Sequence, residues 1–165
     1  MGFLNTLRDH IYDQIVADQG ADPSPYGALA AFNIERKWVP YERMEAMTTA
    51  HPEGKLYLIG TEYDDSVISR GNAAEVEIGV MMGFQKSGIS IHDNDILDNL
   101  VDLKEEIRTS VRKVDPDGYS YLRTESLKDD DTGLPFSLAT LRSGQMFEAI
   151  WVSYFKAILP PAIGS

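Results

Sequence analysis

Three histidines, His10, His51 and His92, are the side chains best suited to proton transfer or metal binding near neutral pH, and each stands alone in the sequence. Only His92-Asp93-Asn94-Asp95 resembles a cluster. A metal site needs ligands that converge from separate elements or recur at i, i+4 on one helix, and this run does neither. Asp93 and Asp95 fit a helix start instead, where an aspartate caps free amides and suits the positive end of the dipole. The chain has no cysteine, so thiolate ligands, cysteine nucleophiles and disulfides are excluded. Gly-x-Ser-x-Gly, His-Glu-x-x-His, Walker and Gly-x-Gly-x-x-Gly patterns are absent.

Carboxylates are plentiful, at Glu62, Asp64, Asp65, Glu75, Glu77 and Asp129, Asp130 and Asp131. Paired acids can hydrolyse glycosides. With 26 acidic residues against 15 basic ones, however, such acids are expected mainly as solvated surface. Arg36-Lys37-Trp38 is the nearest approach to a basic–aromatic patch for single-stranded nucleic acid. It falls inside an expected strand, with Trp38 inward and Lys37 in water. The expectation is therefore a protein with no catalytic residues, metal or cofactor. The alternative is a small acid–base or metal-dependent enzyme built on His92 and nearby carboxylates.

The elements that must position these residues follow from apolar spacing. Leu4, Leu7, Ile11 and Ile15 form one stripe of a helix from about 3 to 18, ended by Gly20 and Asp22-Pro23-Ser24-Pro25. Residues 32–39 read as a strand, 41–47 as a helical turn, and 55–59 as a short buried strand. In 74–84, Val76, Ile78, Val80, Met82 and Phe84 alternate with Glu75, Glu77, Gly79 and Met81, the clearest strand in the chain.

A helix is expected over 94–114, with Ile96, Leu100, Leu103, Ile107, Val111 and Val114 on one face and Asp93 as its N-cap. Burying those six side chains contributes on the order of 10 kcal/mol before entropy is subtracted. Pro116-Asp117-Gly118 is a turn signal, 119–127 a strand and 129–135 a polar loop. Residues 146–155 read as a last strand, apolar on both faces, with Phe147, Trp151 and Phe155 on one and Ile150, Val152 and Tyr154 on the other.

The reading is an α+β domain over 1–159, with a tail at 160–165. Its mainly antiparallel sheet of four to five strands carries two main helices on one face, in the order α-β-β-β-α-β-β. A length of 165 residues suits one core. The net charge of −11 disfavours direct binding to nucleic acid or an anionic membrane. No apolar run approaches the roughly 20 residues that span a bilayer, and synthesis in the cytoplasm is expected.

Ser69-Arg70-Gly71, a short acidic stretch, Val76-Glu77-Ile78-Gly79-Val80 and Gln85-Lys86 together resemble the tail terminator proteins of long-tailed bacteriophages, also called tail completion or neck proteins. The similarity extends to Trp38-Val39-Pro40-Tyr41, the strand at 55–59, Gly118-Tyr119, Phe147 and Val152-Ser153-Tyr154, in the family's order over about nine-tenths of the chain. Residues 137–144 and the proline-rich end depart from the family pattern.

The resemblance implies a homohexameric ring in the tail–neck region of the virion. Such a ring caps the tail tube, ends its polymerisation and docks the head–tail connector or stopper protein, while the genomic DNA passes through its channel without specific binding. Another neck role, head–tail joining or stopper, is the neighbouring possibility. On this reading Glu62, Asp64, Asp65, Glu75 and Glu77 are candidates for the channel lining. Arg70, Phe147, Trp151 and Phe155 are candidates for the subunit interface. Gln85, Lys86, His92, Asp129, Asp130 and Asp131, on expected loops, are candidates for contacting tube or connector.

Overall fold

The structure, a computed structural model, describes residues 3–37, 53–70, 73–127 and 132–159, with backbone alone at 3, 37, 60–70, 73–75, 127 and 159. It is α+β, as expected. The elements are α1 (Phe3–Gln19), a single 3-10 turn (Gly27–Leu29), β1 (Asn33–Lys37), β2 (Lys55–Arg70), β3 (Ala73–Ser87), α2 (Asn94–Arg112), β4 (Tyr119–Leu127), α3 (Leu138–Gly144) and β5 (Met146–Leu159). The expected turn at 41–47, with Trp38, lies outside the described residues.

The five strands lie in the order β1-β2-β3-β5-β4. Three of the four pairings are antiparallel, and β1 runs parallel to β2 from Asn33↔Lys55 to Lys37↔Ile59, so the sheet is mixed. The chain's last strand therefore lies inside the sheet, between β3 and β4. The strand expected over 55–59 runs on to Arg70, with register shifts between Glu62 and Asp64 and between Asp64 and Ile68. Such shifts break the period-two pattern by which a strand is read from sequence.

Register assigns the core to one face. Leu56, Leu58, Ile78, Val80, Met82, Phe84, Ala149, Trp151, Phe155 and Ala157 share it and pack with Leu7, Ile11 and Ile15 of α1 and Leu100, Leu103, Ile107 and Val111 of α2. Both long helices thus cover the same side, as their apolar stripes require. Ile96, expected in the buried stripe, is 39% exposed, whereas Leu97 beside it packs against the core. Rings link the core sideways, with Phe84 centred 5.7 Å from Phe32 and 6.3 Å from Phe147.

Part of the opposite face is buried as well. Tyr57 and Ile59 of β2 and Met146, Val152 and Tyr154 of β5 are buried there, yet none belongs to the helix-side cluster. On β5 the second face is therefore covered at Met146, Val152 and Tyr154, while Ile158 is 48% exposed. Phe147, Trp151 and Phe155, expected at a subunit interface, have no exposed surface. They are the subunit's own core: a side chain enclosed by its own chain presents nothing to a neighbour. Their burial corrects that expectation.

Loops are fastened by side chains. Gln19 donates from Nε2 to the carbonyls of Ala30 (2.9 Å) and Phe32 (2.8 Å), closing the segment after α1. Asp93 caps α2 by accepting from the Ile96 amide at 3.2 Å, as expected from its place before the apolar stripe. Ser137 caps α3, the short helix within the stretch that departs from the family pattern. No helix among the described residues is long and apolar enough to cross a membrane.

Candidate functional site

The first polar assembly is set by a bulge. Tyr121 on β4 pairs with Phe155, yet Arg123 pairs with Tyr154, because the register shifts at Leu122. In an unbroken strand Arg123 would share the face of Tyr121. The extra residue turns it to the opposite face and leaves Leu122 43% exposed. From there its guanidinium lies 4.1 Å from the centre of the Tyr154 ring, crosses β5, and donates to Glu77 on β3 at 2.5 Å and to Glu125 at 3.1 Å. The Tyr154 hydroxyl donates to the other Glu125 oxygen at 3.3 Å. Those two carboxylates hold the Arg123 pKa above its ordinary value. One cation thus ties three strands together on the face away from the helices.

The second assembly is a cleft of about 690 Å³ between α1 and β1, bordered by Arg8, Asp9, Tyr12, Ile34 and Arg36 among others. Arg36 pairs with Asp9 and lies 5.9 Å from the Tyr12 ring centre. Arg8, only 3% exposed, donates to the Leu58 carbonyl at 2.9 Å. Burial lowers the Arg8 pKa, and the charge of Arg36 lowers it further. Two guanidinium groups share this cleft with two carboxylates, Asp9 and Glu35, so its lining is formally neutral on a chain of net charge −11.

Inside the protein, the Tyr26 and Ser110 hydroxyls meet at 2.5 Å and Ser110 donates to Asp18 at 2.5 Å. Burial pushes the Tyr26 hydroxyl well above its ordinary value, so it stays protonated. This serine has a carboxylate and a tyrosine beside it but no imidazole, and the trio joins α1 to α2. Lys104 is buried too: its Nζ donates to the Pro135 carbonyl at 3.2 Å and lies 5.9 Å from the Trp151 ring centre. Burial first, then repulsion by Arg108, lowers its pKa to about 8.

His92 is exposed on a shallow surface lined by Ser90, Asp93, Asn94 and Asp95. Asp93 is engaged as the helix cap, so no carboxylate pair converges on the imidazole there. Among the described residues no three His, Cys, Asp or Glu side chains are placed to hold a metal ion. His10 is exposed on α1, and His51 lies outside the described residues.

Of the expected channel-lining acids, Glu77 is half-buried and bound to Arg123. Glu62, Asp64, Asp65 and Glu75, with Arg70, fall on strands whose side chains there are outside those described. Gln85 and Lys86 belong to β3, not to a loop. Gln85 is fully buried and donates to Glu148 at 2.7 Å, which removes it as a partner contact; Lys86 is half-buried. His92 does lie in a turn, and Asp129, Asp130 and Asp131 are outside the described residues.

Two arrangements escaped the reading of the sequence: the Arg123 bridge and the Arg8–Arg36 cleft. The first depends on the bulge, for which Leu122 gives no signal. The second runs against the expectation that Arg8, with Asp9 and Asp13, turns away from the apolar stripe of α1: Arg8 lies three residues before Ile11 on the stripe side and is 3% exposed. No family model matches the chain, and no curated protein matches it.

Proposed function

We propose that the chain is a structural subunit of a phage tail terminator: copies form a ring that caps the tail tube, ends its growth and docks the head connector while DNA passes through. The observation that carries this reading is the β2–β3 ribbon. β3 pairs with β2 along its length, but β1 covers the other edge of β2 only as far as Ile59, and the described residues put no strand on that edge from Gly60 to Arg70. That edge carries Glu62, Asp64 and Asp65 of the acidic stretch 62–77, with Arg70, while Glu75 and Glu77 lie on β3, which is paired on both sides. An open strand edge is a ready surface for pairing with another chain, and register shifts and charge restrict which chain it accepts. β5 is used up in the core, so the ring contact is drawn from the sheet edges.

The element order and the placing of both long helices on one face support the family resemblance. Charge supports it also. Six copies of a −11 chain carry 66 net negative charges, and a channel lined by part of them would let phosphates slide past rather than bind.

Electron microscopy of phage particles assembled without this protein tests the proposal. The expected result is separate filled heads and tails, the tubes of abnormal length. Heads correctly joined to uniform tails overturn it.

A further inference from the structure

A second groove runs between the 3-10 turn and α2 and holds about 280 Å³. Asn99, Asp102, Leu103 and Glu106 fall at i, i+3, i+4 and i+7, so one face of α2 forms its first wall. Pro25, Tyr26 and Leu29 belong to the other. Leu103 and Tyr26 are buried, whereas Asp102 and Glu106 are exposed, which gives the groove an apolar floor and an acidic rim.

The wall opposite α2 is fastened at several points. The Tyr26 hydroxyl meets Ser110 on α2 at 2.5 Å, and the Ser24 hydroxyl donates to the Asp18 carbonyl at 2.7 Å. Beyond the turn, Gln19 holds the carbonyls of Ala30 and Phe32. The groove is thus formed in advance, which lowers the cost of filling it.

Its charge is unmatched. The lining has two carboxylates and no cation, unlike the balanced cleft beside α1. Among the described residues neither Asp102 nor Glu106 has an ion-pair partner, whereas nearby Glu105 and Asp18 are met by Arg108 and Lys113. The volume lies below the roughly 300–1,000 Å³ of pockets for drug-sized ligands and suits one long side chain. A lysine or arginine fits these features together, its methylene stem on Leu103 and Leu29 and its charged head between the carboxylates.

We infer that this groove receives a lysine or arginine side chain from a basic partner protein. Net charge favours a different protein over a second copy, since a chain of −11 repels its own kind at long range and attracts a basic surface. The inference goes beyond the ring reading and does not depend on it.

Amide shifts of isotope-labelled protein test it, with a capped alanine pentapeptide bearing one central arginine as the probe. Expected is saturable movement of the amides at 26–29 and 99–106 and little elsewhere. The same peptide with norleucine at its centre, which keeps an apolar stem without the charge, should bind about tenfold more weakly. Asp102→Asn with Glu106→Gln, both at exposed positions and checked for folding by circular dichroism, should weaken the arginine peptide about tenfold. Shifts spread evenly over the acidic surface overturn the inference, because any carboxylate then serves. Equal binding of the norleucine peptide overturns it too, leaving an apolar groove alone. Calcium that moves the same amides and is not displaced by the arginine peptide also overturns it, assigning the acids to a metal. None of these outcomes touches ring assembly, so failure here leaves that reading intact.

Discussion

Arg123 reaches Glu77 across the ring of Tyr154: the guanidinium lies 4.1 Å from the ring centre and 2.5 Å from the carboxylate two strands away. β4 is the edge strand on this side of the sheet, so the bridge fixes its register to β3, with which it forms no backbone pairs. Leu122 makes this possible by adding one residue to the strand. The main-chain irregularity and the side-chain bridge are one device.

Arg123→Ala should lower stability by about 1 kcal/mol, combining an exposed ion pair with a cation–π contact, both screened by water. For a chain of this length that is a melting shift of roughly 2–4 °C. A double-mutant cycle with Glu77→Gln should give a coupling that weakens as salt is raised. A coupling indifferent to salt would contradict the bridge.

Lys104 offers a pH signature. Its folded pKa is about 8, below the ordinary 10.5, so the folded state holds this proton less tightly than the unfolded one. The cost is fully present below pH 8, and stability gains as pH rises from 8 towards 10.5. Lys104→Met should therefore stabilise at pH 7 by on the order of 1 kcal/mol after the bond to Pro135 is lost. The gain should fade between pH 8 and 10; the raised Tyr26 pKa acts on both proteins alike and cancels in the comparison. Urea titrations of both proteins across that range measure it.

Gly54 has a φ of +99°, and a Cβ there would come within 2.7 Å of the Phe84 ring. The ring is wedged in the core and cannot retreat. Gly54→Ala should cost at least about 2 kcal/mol, from backbone strain and overpacking together. Gly88→Ala has a similar positive φ but open space around it, so it should cost less. Equal losses in chemical denaturation would contradict the steric part.

Ser110→Ala removes the hydroxyl between Tyr26 and Asp18 and leaves the buried Tyr26 hydroxyl short of a partner, while half-buried Asp18 keeps Gln14 and Lys113. A loss of about 1–3 kcal/mol is expected. Thr109→Ala, one residue away and exposed, should change stability by less than about 0.5 kcal/mol. Thermal melts of the pair separate a buried network from a general effect on α2.

Most of the fold was legible where one periodicity persisted. The apolar stripes of α1 and α2 and the alternation from Val76 to Phe84 fixed two helices, the central strand and the face they share. Reading failed where a strand departs from period two. β2 looked finished at Ile59 because the acids and register shifts beyond it resemble a loop. β5 looked like an interface because its second apolar face had no visible cover, whereas Tyr154 and Val152 are enclosed within the chain. Gln85 looked like surface because a polar side chain at a strand end usually is, but here it is paired with Glu148. The parallel placing of β1 left no mark in residue types at all.

The strand order carries a consequence for synthesis. Among the described strands, β5 follows the others in the chain and fills the gap between β3 and β4. Until Met146 to Leu159 emerges from the ribosome, β4 has no described neighbour to bond and the helices have only part of a platform. The sheet must then wait for β5 to close, which makes a product truncated before it unable to mature. A nascent chain lacking those residues should be destroyed by proteases rather than enter an assembly as a defective copy.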